Sequence, residues 1–206
     1  AGSSASRGTD AMGPYHAIMV HFPVALWFVA SGIVIFRALS DSALARAFDR
    51  VLMTFLVLGV LSGLVAYTLG QFVWPPDTLQ STPHGRNPMM TATWSLACWS
   101  AVLFVRWRGG ERVWDGAVNR LAMLVIGMLG ALLLAATGTL GGHLHGAPAY
   151  LSEIVRMLIR WDVYQTHYIP NWALGVIAVV IVAMPAVAIV ASRGHEARMR
   201  REGSAK

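Results

Sequence analysis

The sequence predicts an all-α integral membrane bundle of five transmembrane helices, with the N-terminus outside and the C-terminus inside. Three observations carry this. Of 206 residues, 56% are hydrophobic and 13% charged, about half the ~25% charge of a soluble domain. Five runs approach the ~20 apolar residues needed to cross a ~30 Å hydrocarbon core. The basic residues alternate between the two sides as five spans require. Mean hydropathy is +0.56, which excludes an ordinary soluble enzyme and a disordered chain. The net charge of +6 and pI near 10.2 read as topology signal and attraction to lipid headgroups, not as nucleic-acid binding.

The spans can be taken in order. Ala17–Phe36 is interrupted only by His21 and Pro23. Val51–Gly70, Leu121–Gly142 and Trp172–Ser192 carry no charge. Met89–Val105 is shorter and ends at the anchors Arg106 and Trp107. These runs are continuous rather than alternating, which argues against strands. Twelve of the 16 basic residues fall on one side. Arg37, Arg46 and Arg50 follow span one; Arg106, Arg108, Arg112 and Arg120 follow span three; the rest lie in the C-terminal tail. Arg7, Arg86, Arg156 and Arg160 fall on the other side. Cytoplasmic segments carry this excess, so a multi-pass protein of the bacterial inner (plasma) membrane is expected, in contact with the lipid bilayer.

The chain then divides into a polar N-terminal tail (1–15), a four-helix membrane core (16–146), an outer amphipathic segment (147–170), the fifth transmembrane helix (171–192) and a basic cytoplasmic tail (193–206). Ala1–Asp10 is small and polar, and is expected to be disordered. In the outer segment, Leu151, Ile154, Val155, Leu158, Ile159 and Trp161 form a stripe at helical spacing. That fits an amphipathic helix in the outer interface or a short helix packed over the bundle mouth.

This topology puts six of the seven histidines on one side. His16 and His21 lie at the outer end of span one, and His84 in the loop before span three. His143 and His145 close span four, and His167 precedes span five; His195 alone lies inside. An ionisable group at membrane depth is costly and faces the bundle interior with a partner. A neutral imidazole is a good metal ligand. Two imidazoles on different helices can hold a b-type haem in a bundle core, and His21 with His143 form the best axial pair. His16, His145, His167 and His84 are candidates for a second haem or for hydrogen bonds to propionates. Arg86, Arg156 and Arg160 are the outer cations for propionates or a partner. His16 and His21 are five apart, ~140° around a helix. That argues against one small metal bound from one regular helix and permits two sites.

Other residues leave two readings open. Met19, Met89 and Met90 permit copper or an axial sulfur, but core filling is the plainer role. Gly59-x-x-x-Gly63 and Gly138-x-x-x-Gly142 give smooth faces for tight helix packing or for a flat cofactor. Trp161, Trp172, Tyr164 and Tyr168 fit a quinone pocket or an interfacial belt. The single cysteine, Cys98, excludes a CxxCH haem attachment, a four-Cys iron–sulfur site and an internal disulfide. No HExxH is present.

The segment His16-Ala-Ile-Met-Val-His-Phe-Pro-Val-Ala-Leu26 resembles the opening, HP-x-x-VHFP-I-x-L, of a bacterial integral-membrane family of unknown function. Leu140-Gly-Gly-His-Leu-His-Gly146 is similar to that family's closing LGG-x-L segment. The resemblance covers roughly residues 14–146. Ala17 replaces the usual proline, His145 stands where the family has valine, and the fifth span is an addition. Family members occur fused to Rieske or cytochrome c domains. The resemblance therefore implies a redox setting with haem, and places His16 and His21 on the first motif and His143 on the second. The expected function is a membrane cytochrome b-type electron-transfer subunit. It would bind one or two haems b near the outer (periplasmic) face and pass electrons between quinone and a separate periplasmic redox protein or enzyme subunit. The alternatives are a cofactor-free membrane anchor of a larger complex and a copper-binding membrane protein.

Overall fold

The computed structural model describes residues 3–73, 77, 80–144, 153–154, 157–158 and 167–203. Among these residues there are five long helices, one 3-10 turn and no strand. The helices are α1 (Ser3–Leu39), α2 (Ala43–Val73), α3 (Pro83–Gly109), α4 (Gly116–Leu144) and α5 (Asn171–Gly203); the turn, Gly110–Trp114, joins α3 to α4. Each of the five contains a stretch long and apolar enough to cross a membrane. The protein is a five-helix membrane bundle.

Local chemistry explains the boundaries. The Thr82 side chain accepts a hydrogen bond from the Gly85 N–H at 3.3 Å, and Pro83 takes the first helical position of α3, where its missing N–H costs nothing. Ser42 caps α2 in the same way, accepting from the Ala45 N–H at 3.2 Å. Gly110 (φ 58°) and Gly116 (φ 80°) make the turns around the 3-10 segment, in a region of backbone space that other residues avoid. Two expectations change. The polar N-terminal stretch is helical from Ser3, since extending a long helix costs far less than starting one. His84 sits in the first turn of α3, not in a loop. Pro23 lies inside α1; it removes the bond to the Met19 carbonyl, yet the helix continues through it.

Helices α1 to α4 form a ring. α1 packs on α2 and α4, and α3 packs on the same two, so α1 and α3 face each other across the diagonal. α5 lies outside the ring against α3 and α4. Its Val176, Val179, Val182 and Val190 are exposed, as befits a helix whose outer solvent is lipid. The core between the ring helices holds Val34, Leu52, Leu56, Trp99, Val102, Met123 and Ile126. Trp27 and Trp99 stack in its middle, with centroids 6.1 Å apart and planes 12° off parallel.

Glycines set the register of the ring. A Cβ on Gly63 would lie 3.3 Å from Leu96 Cδ1, and one on Gly130 would lie 3.0 Å from the Trp99 ring. The Trp27 indole lies against both Gly59 and Gly63, where a Cβ would come within 2.5 Å and 2.7 Å of it. The flat group on this glycine face is therefore a tryptophan of the protein itself.

The end of the bundle carrying the α1–α2 and α3–α4 connections is closed by charge. Asp49 of α2 is buried and receives Arg106 of α3 through Nε (3.3 Å) and Nη2 (2.9 Å). The Trp114 indole N–H donates to the same carboxylate at 3.0 Å. Arg37 of α1 stacks over the Trp114 ring at 5.6 Å and pairs with Asp41 at 2.6 Å. Arg120 of α4 reaches Asp41 at 3.3 Å. Arg106, expected as an interfacial anchor, is instead half of a buried ion pair, because Asp49 faces it across the α2–α3 contact.

Candidate cofactor cavity at the histidine end

The opposite half of the ring contains a cavity of about 560 Å³. That volume lies within the range of small-molecule and cofactor sites, ~300–1,000 Å³. All four ring helices line it: α1 with His16, His21 and Trp27, α2 with Gly63, Ala66 and Gly70, α3 with Met89 and Ser95, and α4 with Gly138, Gly141 and Gly142. The small residues make the space. A Cβ on Gly138 or Gly141 would meet nothing within 4 Å, so this α4 face is open where the α2 face is filled by Trp27.

The imidazoles are held by backbone. His16 Nδ1 lies 3.0 Å from the Ala66 carbonyl of α2, and the ring packs over Gly70, where a Cβ would lie 2.9 Å from Cε1. His21 Nδ1 lies 2.7 Å from the Ala17 carbonyl one turn back. His143 Nδ1 does the same with Thr139, at 2.9 Å. A carbonyl can only accept, so each contact fixes the proton on Nδ1 and leaves the lone pair on Nε2. That is the usual arrangement of metal-ligating histidines. Two buried polar atoms on the cavity wall, Trp27 Nε1 and Ser95 Oγ, have no hydrogen-bond partner among the described residues.

The structure gathers some of the expected site residues and separates others. His16 and His21 line the same cavity although they are five residues apart. His143 follows the lining residues Gly141 and Gly142 but is not itself part of the lining. His84 is half-buried in the first turn of α3 and is not itself part of the lining, although its neighbour Gly85 is. His167 is exposed, and its carbonyl accepts from the Asn87 side chain at 3.0 Å. Asn87 also accepts from the Ile169 N–H at 3.0 Å, while Arg86 stacks on Tyr168 at 5.4 Å and donates to the Ile169 carbonyl. Arg86 thus serves to dock the entry of α5 on α3. His145, Trp161, Tyr164, Arg156, Arg160 and most of the outer amphipathic segment lie outside the described residues. So does the side chain of His195.

Met89, for which core filling is the plainer expectation and a metal-ligating sulfur the other, lines the cavity. Sequence reasoning missed two participants, Ser95 and Trp27, whose buried polar atoms face it. A serine seven residues from Pro88 in an apolar span was the available signal, since a buried hydroxyl needs a partner.

Residues 12–147 match the family described as "Predicted membrane protein (DUF2231)". No curated protein and no solved structure matches the chain. The match spans well over half of the sequence, and the chain belongs to that family.

Proposed function

We propose that this member of the DUF2231 membrane family is a b-type electron-transfer subunit. It holds haem b in the cavity between α1 and α4 and exchanges electrons between membrane quinone and a separate redox protein. The distribution of basic residues supports a histidine end on the periplasmic side of the inner membrane. One observation carries this reading: a largely apolar cavity in a membrane bundle receives two imidazoles whose tautomer is set by backbone carbonyls.

The donor set suits a macrocycle. Among the described residues no group of three or more His, Cys, Asp or Glu is placed to cage a bare metal ion. A haem iron asks the protein for one or two ligands only. An α1 imidazole, His16 or His21, can supply one of them, and the open glycine face of α4 leaves room for a flat ring. When bound, haem supplies a one-electron carrier, while the protein sets ligation, burial and access. Resemblance of the opening and closing motifs to chains fused with Rieske or cytochrome c domains supports the same reading.

A reduced-minus-oxidised absorption spectrum of the purified protein, with haem extraction, tests it. A b-type signal near one haem per chain is expected. Freshly purified, folded protein without haem refutes the reading. Copper by metal analysis would then favour the copper-binding alternative, and neither metal nor haem the anchoring one.

A further inference from the structure

From the register of the bundle, we infer that Met89 of α3 faces His16 of α1 as the second iron ligand, giving mixed histidine–methionine coordination. This rests on the haem reading of the cavity. Leu96 of α3 stands beside Gly63 of α2. Seven residues further toward the histidine end, α3 carries Met89 and α2, which runs the opposite way, carries Gly70. Each step is about 10 Å along its helix at ~1.5 Å per residue, so Met89 and Gly70 share a layer. Gly70 is the residue over which the His16 ring packs. The α3–α4 contact gives the same layer independently. Trp99 stands beside Gly130; ten and eleven residues outward lie Met89 and Gly141, both on the cavity wall.

The layer therefore holds His16 and Met89 on the two helices that face each other across the diagonal, with glycines between them on α2 and α4. Ligands for the two faces of one macrocycle must come from opposed helices, which two histidines on α1 do not provide. His21 lies five residues deeper on the same helix, ~7.5 Å along α1. His143 is absent from the lining. The soft thioether is a competent axial ligand and raises the haem potential relative to a second imidazole.

The test uses the full chain as purified. In Met89→Leu, haem content is retained, the sulfur-to-iron charge-transfer band is lost, and the oxidised spectrum moves from low spin toward high spin. In Met89→His, the spectrum becomes that of a bis-imidazole haem and the midpoint potential falls. In His16→Ala most haem is lost, while His143→Ala keeps it. A Met89→Leu protein that binds haem with an unchanged spectrum and potential overturns the methionine assignment alone. Loss of haem in His143→Ala with retention in His16→Ala overturns the histidine. A wild-type protein without haem overturns the haem reading and this pair with it.

Discussion

The two ends of one four-helix ring are built on opposite plans. At the arginine end every helix contributes a side chain that locks onto another: Arg37, Asp49, Arg106 and Arg120 meet around Trp114 and Asp41. At the histidine end the same helices contribute glycines, two imidazoles and polar atoms without a partner among the described residues, around open space. A buried ion pair gives little net stability but is costly to break. A cavity forfeits packing, and it persists where something else supplies rigidity. The comparison suggests a division of labour, with one end holding the helices together and the other free to accept a ligand.

The largest effect is expected at the arginine end. Asp49→Ala leaves Arg106 buried without its counter-charge and Trp114 Nε1 without its acceptor. Loss of about 3–5 kcal/mol is expected for breaking such a pair. Cys98 is fully buried and is the sole cysteine, so thiol labelling during thermal unfolding in detergent reads the change directly. Asp49→Leu combined with Arg106→Met removes both charges and should recover most of the loss. If the single variant melts with the wild type, the lock is not one.

The next effect contrasts two glycines of similar sequence setting. Gly59→Ala drives a methyl group into the Trp27 indole, and overpacking of this kind costs about 1–3 kcal/mol. Gly138→Ala meets open space and should leave the melting profile within about 0.5 kcal/mol of wild type. Gly138→Phe should keep the fold while filling the cavity, so that ligand is lost without stability. Equal destabilisation by Gly59→Ala and Gly138→Ala would erase the distinction between a filled glycine face and an open one.

This contrast also shows what the sequence made legible. Composition, run length and arginine alternation reveal five spans, because the bilayer imposes one-dimensional rules on length and charge. The histidine bias toward one end is readable for the same reason. Pairing across helices is not. Gly59-x-x-x-Gly63 and Gly138-x-x-x-Gly142 look alike in sequence. One is covered by Trp27 and the other stands open to the cavity, a difference set by register between helices that periodicity within one helix does not contain. Arg106 reads as a headgroup anchor until Asp49, 57 residues earlier, is brought beside it. Met89 reads as core filling until α1 is seen to face α3.

A smaller effect sits at the histidine end, in the docking of α5. Asn87→Ala removes both bonds to the 167–169 backbone. A cost of about 1–2 kcal/mol is expected from the buried groups left unpaired. The loss should appear first as faster hydrogen exchange at Ile169 and the start of α5, with the ring unchanged. Uniform destabilisation of the whole bundle would mean that the two ends are not independent.

The smallest effect belongs to Asp41, the exposed member of the arginine-end cluster. Limited burial pushes its carboxyl up, but Arg37, Arg120 and Arg46 outweigh this and hold it below the ordinary value of 3.8. A folded-state pKa below the unfolded one means that the unfolded chain binds more protons in that window. The contribution is therefore complete above the ordinary carboxylate range and is lost as pH falls through the lowered value. Asp41→Asn should leave stability near wild type at neutral pH apart from a small screened loss. The loss should shrink with added salt, because the carboxylate is open to solvent. As pH falls through the lowered value, below the ordinary carboxylate range, the variant should converge on the wild type. The histidine end offers no comparable carboxylate in its cavity wall, so a stability difference between Asp41→Asn and wild type that does not shrink as pH falls below the ordinary carboxylate range would place the effect outside this charge cluster.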